Sequence, residues 1–435
     1  MKRSSGVALV REEPVSYSAV QDKIDRIGFG RFHVISILIC GTLFTFQGAS
    51  RNLFLSSTAI SSRYIFLCIL NTSFFLGAGL STLLSTFGRR PSIVLSLVLV
   101  GLCGYAASMS PTEWGLRLQL SLSFFGLGLG IPPAICLVVE SAPSRMKGLS
   151  VACLVAFSVM GEFAAANLVN RKIPESIGFL SAPVILSAFF AVIGFIPESP
   201  AMLLEDCFTL NATLRLMARR ATHSIFVPSP SSSSLAAPRV CKVASIIALA
   251  GVISGVELFH VSSSSLSKNI LASYGFSICL LILSAGLVSA NLLTSRSLLM
   301  IALLLGSVIA CSGIASPSEW KSDLVFAAIK AVAVCVHFFA IEFACKPHNP
   351  DDRLVFLALM LGCGQLVSFV IPLPVSTVGE ETAFAVLFGT LAVVVLAFVE
   401  QPFGQRQLDP SSSLYDRGTF GKIPIVSNPS SYGSI

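Results

Sequence analysis

The sequence predicts an all-α integral membrane protein of twelve transmembrane helices arranged as two six-helix bundles. Three observations predict it. Hydrophobic residues make up 54% of the 435 and charged residues only 12%, where an ordinary soluble domain carries about 25% charge, and the mean hydropathy is +0.82. Apolar runs recur along the chain, each close to the ~20 residues needed to cross the hydrocarbon core. One long polar interval, 197–242, separates the first six of those runs from the last six.

The spans fall approximately at 33–50, 64–86, 92–110, 117–140, 149–169 and 178–196, then at 243–262, 271–293, 297–315, 323–344, 354–372 and 381–399. This divides the chain into an N-terminal tail (1–32), a first bundle (33–196), a linker (197–242), a second bundle (243–399) and a C-terminal tail (400–435). The first 30 residues are polar and mixed in charge, which does not fit a cleavable signal peptide. Twelve crossings put both termini on one side. If that side is the cytosol, 21 Lys and Arg residues lie inside and seven outside, as the positive-inside bias requires. The net charge of +7 then reflects topology, and no nucleic-acid partner is expected. The twelve cysteines lie almost all inside apolar runs, without a CxxC pair or a His at metal spacing, so they read as small packing residues. No metal or cofactor is expected, and the absence of a Gly-rich loop followed by Lys and Ser or Thr argues against ATP-driven chemistry or any other enzyme.

The linker opens with Pro197-Glu198-Ser199-Pro200. Ser199 suits an N-cap and Pro200 a first helical position, so a helix is expected to start there. Leu203, Leu210, Leu214 and Met217 recur at helical spacing beside Arg215, Arg219 and Arg220, which predicts a short amphipathic helix on a membrane face. From Pro228 to Pro238 the chain is Ser/Pro-rich and reads as a loose linker.

The two halves echo each other. Glu140 ends span 4 and precedes Pro143, Arg145 and Lys147; Glu342 ends span 10 and precedes Lys346, Pro347 and Arg353. Together with Phe87-Gly88-Arg89-Arg90-Pro91 after span 2, with Gly126, Gly128, Gly130 and Pro132 in span 4, and with the Ile27 to Phe32 and Pro197 to Pro200 segments, this pattern resembles the major facilitator superfamily. More narrowly it is similar to the synaptic-vesicle-2-related, organic-cation-transporter-like branch near the sugar porters. The resemblance implies the major facilitator fold and secondary transport of a small organic solute by alternating access, at a site between the halves near the bilayer midplane. It also implies a monomer in the plasma membrane or an intracellular vesicle membrane.

The chain departs from the family pattern at several positions. Ser85 stands where the helix-2-to-3 motif has an acid, Ser81 replaces its leading glycine, Gln47 and Ser50 take the places of two acids late in span 1, and Leu122 that of an intramembrane arginine. These replacements motivate an alternative function, a transporter-like membrane sensor or interaction protein that no longer transports.

An ionisable side chain inside a span costs about 2.5–3.5 kcal/mol on insertion scales, so those present are expected to face a cavity or a partner. Glu162, Glu257, Lys330 and His337 are such residues, and with Gln47 and Gln365 they form the candidate substrate cavity. Lys330 and His337, seven residues apart, share one helix face. Arg89, Arg90, Glu140, Arg145, Glu198, Glu342 and Arg353 form the candidate cytoplasmic gating network. Arg89 and Arg90 are read as following the C-terminal end of span 2, where cations meet the negative end of the helix dipole and can pair with acids of the opposite half.

Overall fold

Runs of ~20 apolar residues in lipid have one way to satisfy their backbone without water, which is to hydrogen-bond within themselves as helices. The computed structural model describes residues 17–57, 60–168, 173–204, 207–218, 270–290, 295–314, 319–345 and 350–367. Among these the elements are α1 (Tyr17–Ile27), α2 (Arg31–Ser57), α3 (Ile60–Leu83), α4 (Arg89–Ser108), α5 (Glu113–Ser141), α6 (Lys147–Leu168), α7 (Ile173–Ile193), α8 (Cys207–Ala218), α9 (Ile270–Ser289), α10 (Ser295–Ile314), α11 (Glu319–Ala344) and α12 (Pro350–Val367). The expected spans 1–6 coincide with α2–α7 and spans 8–11 with α9–α12, while spans 7 and 12 lie outside the described residues. Seven stretches among the described residues are long and apolar enough to cross a membrane. Large apolar side chains such as Leu76, Leu102, Phe179, Phe189, Leu283 and Val308 are exposed along these helices. In water such a belt would drive aggregation; against lipid it costs nothing.

The most deeply buried helix is α5, in which every residue from Gly126 to Ser141 is enclosed. Thr112 starts it in extended backbone and its side chain accepts from the Gly115 N–H at 3.1 Å. Its glycines let neighbours approach to backbone distance. A methyl group at Gly128 would overlap the Phe74 carbonyl of α3, and one at Gly130 the Ser96 side chain of α4. On the other side of the bundle, Gly48 of α2 abuts the Ser158 carbonyl of α6, and Gly161 of α6 abuts the Thr45 carbonyl of α2. Two seams then join the helices before the 219–269 interval to those after it: α3 against α12, and α6 against α9.

Two expectations about the polar segments need correction, and the N-terminal tail holds a helix that was not anticipated, α1 at Tyr17–Ile27. It ends at Gly28, whose φ of 74° is the left-handed conformation that terminates helices. No helix starts at Pro200: among the described residues the Ser199 hydroxyl accepts only from the Ala201 N–H, at 3.2 Å, the chain makes turns through Leu204, and α8 begins at Cys207. The apolar face of α8 does not lie on a membrane either. Leu210, Leu214 and Met217 bury against Val20, Ile24 and Phe32, so α8 and α1 cover each other. The Ser/Pro-rich remainder of the linker lies outside the described residues. The cysteines also divide: Cys40, Cys136, Cys335 and Cys345 are buried packing residues, whereas Cys279 and Cys311 are exposed.

Overpacking a closed helix contact costs about 1–3 kcal/mol. Gly128→Val is therefore expected to lower the unfolding midpoint of the detergent-purified protein clearly, while Gly79→Ala, where an added methyl meets nothing within 4 Å, leaves it unchanged. Fluorescence-detected thermal unfolding reads both.

Candidate functional site

The site is built at two levels along the helix axes. The first is the end at which α1 lies. Arg89 and Arg90 do not trail the C-terminus of the preceding span as expected; they open α4, after a short 3-10 turn at Leu84–Phe87. Two cations at the positive end of a helix dipole are unfavourable unless an anion sits there too. Glu198 supplies it, its carboxylate accepting from the backbone N–H of Arg89 at 2.7 Å and of Arg90 at 3.1 Å, and from Ser199 N–H at 2.9 Å. Gly88, with φ at 103°, brings the chain so close to this carboxylate that a Cβ would collide with it.

Arg89 then sends its side chain inward. It is fully buried and pairs with Glu140, Nη2 to Oε1, at 3.7 Å. Glu140, also fully buried, receives Arg353 Nη1 of α12 on the same oxygen at 3.3 Å, and the Ser199 hydroxyl on the other. Arg89 thus has an ion pair within its own set of helices, and the Glu140–Arg353 contact crosses to the other set. Arg145 takes no part: it is exposed and forms no ion pair or hydrogen bond among the described residues. Glu342 lines the same region without pairing with Arg145.

A second layer over this end was not expected from the sequence. From α1, Tyr17 stacks over Arg353 with the guanidinium carbon 6.0 Å from the ring centre. Gln21 donates to the Ala142 carbonyl at 3.3 Å and accepts from Lys147 Nζ at 2.9 Å. Asp25 accepts from both the N–H and the hydroxyl of Ser144, at 2.6 and 2.8 Å. Partial burial pushes the Asp25 carboxyl up, but the donors from Ser144 and Gln21 outweigh this and hold it below the usual range. It is therefore ionised at any physiological pH, and this clasp is insensitive to pH there. The signal was present, since Tyr17, Gln21 and Asp25 recur every four residues on one helix face. His33 adds a further link: Gly30 N–H donates to its Nδ1, so Nε2 carries the proton and donates to the Ser141 carbonyl at 2.9 Å.

The second level lies inside the membrane. Lys330 of α11 pairs with Glu162 of α6, Nζ to Oε2, at 3.1 Å, and its ammonium sits 3.7 Å from the ring centre of Tyr274 on α9. Phe163 packs edge-on against Tyr274 at 5.7 Å. Both charged side chains are nearly enclosed, with 10% and 13% of their surface left exposed. At 1.5 Å per residue, Glu162 and Lys330 stand about 21–22 Å from the α1 end of their helices. By the same count Tyr274, Gln47 and Gln365 reach about 22–24 Å on α9, α2 and α12, and the two glutamines are buried. Four of the expected cavity residues therefore share one level. His337 lies about 10 Å nearer the α1 end than Lys330, and Glu257 lies outside the described residues. Tyr274 was missed because one aromatic in an apolar run carries no sequence signal.

These features define an integral multi-pass membrane protein with the major facilitator fold. The chain is similar to the xylose transporter XylE of E. coli, with 14% identity, 86% of this chain and 98% of that one covered, and a TM-score of 0.63. It is 30% identical over 125 residues to monosaccharide-sensing protein 1 of Arabidopsis thaliana, 27% of this chain and 17% of that protein. It is 29% identical over 188 residues to human solute carrier family 22 member 12, 41% of this chain and 32% of that protein. The matched stretches span between 17% and 33% of the curated relatives' lengths. No protein-family model matches the chain.

Breaking a buried ion pair by neutralising one partner typically costs about 3–5 kcal/mol, because the other charge is stranded. Glu140→Gln strands two arginines and is expected to lower the unfolding midpoint sharply. Adding Arg353→Gln to it should recover part of the loss. A double variant as unstable as the sum of the two singles would show that Glu140 and Arg353 are not energetically coupled.

Proposed function

We propose that the protein is a secondary transporter that moves a small organic solute by alternating access, and that the Glu162–Lys330–Tyr274 cluster is the heart of its solute site. The observation that carries this reading is the ion pair itself. It is nearly buried within two candidate membrane spans and joins a helix before the central interval to one after it. A purely structural helix contact needs no charges at that depth, and inserting them is costly.

The lining argues for the solute's character. Glu162 and Lys330 neutralise each other, so the level they share with Gln47 and Gln365 presents hydrogen-bonding groups without net charge. That suits a neutral, hydroxylated molecule better than an organic ion. XylE, a xylose transporter, shares the fold, and a monosaccharide is the solute class we favour. At the α1 end, the Glu140–Arg353 pair and the α1 clasp would form the gate that has to open on that side. By the distribution of basic residues this side is the cytosol, with both termini in it and bundles at 33–196 and 243–399. The protein would work as a monomer, in the plasma membrane or a vesicle membrane. The non-transporting alternative gains no support, because the membrane-buried pair is retained even though Gln47, Ser50, Ser85 and Leu122 replace family residues.

Thermal unfolding of the purified protein against monosaccharides, organic cations and organic anions tests the solute class. A ligand at about 100 times its Kd stabilises the folded state by ~2.7 kcal/mol. Hits are expected among monosaccharides, lost in Glu162→Gln and in Lys330→Gln. Uptake into proteoliposomes is then expected to fall at least tenfold in either variant at equal amounts of folded protein. Uptake that merely tracks the folded amount would reduce the pair to packing.

A further inference from the structure

Between the two sets of helices at the α1 end lies a cavity of about 340 Å³, apart from the solute site and lined in part by the gate residues Tyr17, Lys147 and Arg353. Its walls are Arg145 and Lys147 from the start of α6, Ser289 from the end of α9, Glu342 from the end of α11 and Arg353 from α12, with Tyr17 of α1 over them. Three cations thus face one carboxylate. Arg353 is shared with Glu140, but Lys147 donates only to the neutral amide of Gln21, and Arg145 has no partner among the described residues. Asp25, the nearest acid of α1, is already engaged by Ser144. The helix α6 also begins here, so the positive end of its dipole adds to the same field.

We propose that this cavity binds a phosphate monoester carried on a polyol. The cations set the charge, since the planar fork of Arg145 suits two phosphate oxygens at once. The volume sets the size, because a cavity at the lower end of the small-molecule range of about 300–1,000 Å³ exceeds what a bare phosphate fills. The hydroxyls set the polyol. Ser144 and Ser289 give their own protons to Asp25 and the Ala285 carbonyl, and their oxygens remain as acceptors for ligand hydroxyl groups. An inositol phosphate has this chemistry, whether free in solution or as the headgroup of a phosphoinositide lipid. Because the walls come from both sets of helices and α1 closes over them, the bound anion would hold this end shut and slow turnover.

Calorimetric titration of the full-length protein in detergent with a soluble inositol phosphate tests binding without relying on transport. Thermal unfolding in nanodiscs with and without phosphatidylinositol bisphosphate tests the lipid form. Binding is expected in at least one format and should weaken at least tenfold in Arg145→Gln. Ser289→Asp, which places a carboxylate on the facing wall, should weaken it similarly. Arg31→Gln, at a different cavity, should leave it unchanged. Response to the soluble compound alone identifies a free metabolite, and response only in nanodiscs identifies the headgroup. No response in either format, or equal affinity in Arg145→Gln and Ser289→Asp, overturns the proposal.

Discussion

The Glu140 carboxylate is the constraint on which the α1 end depends. It is fully buried and takes Arg89 from α4, Arg353 from α12 and the Ser199 hydroxyl from the loop after α7. One anion between two guanidinium groups is a demanding arrangement. Each cation would be costly to bury alone, and the site stays favourable only while all partners keep their places. The surrounding structure is shaped to keep them there. Glu198 holds the start of α4, so that Arg89 can point inward although it opens a helix. The enclosed C-terminal half of α5 fixes Glu140 from behind.

That enclosure comes from small residues. With Gly128 against the Phe74 carbonyl and Gly130 against Ser96, α5 packs into α3 and α4 with little freedom to slide. In lipid there is no hydrophobic drive between helices, and close backbone approach is a principal source of association. Glycines on one helix therefore decide how precisely an acid two to three turns further along is held.

Much of this was legible in the sequence, for a definite reason. Apolar length marks spans directly, so α2–α7 and α9–α12 fall where the hydropathy puts them. The residues of the ion-pair level were also legible, since Glu162 and Lys330 are charges in apolar surroundings. Their pairing was not, because sequence spacing cannot say which of two distant helices face each other. The polar segments misled most. Ser199 carries a strong capping signal, yet its oxygen accepts from Ala201 N–H in a turn while its proton goes to Glu140, so the capping chemistry serves a tertiary contact and not a helix start. Leu210, Leu214 and Met217 do form an apolar face, but periodicity alone does not distinguish a lipid surface from the flank of α1.

The two ion pairs that cross between the helix sets have a geometric relation that suits alternating access. In both, the acid lies before the central interval and the base after it, Glu140 with Arg353 and Glu162 with Lys330. They are about 18 Å apart along the helix axes. A rotation of about 15°, the size of a known subunit switch, made about the inner pair would move the outer pair by about 5 Å. That displacement breaks a contact of 3.3 Å completely while leaving the charges at the pivot within reach of each other. On the proposed function, the inner pair persists through the motion as a fulcrum beside the solute, whereas the outer pair is either made or broken. A contact with only those two conditions is what a gate requires.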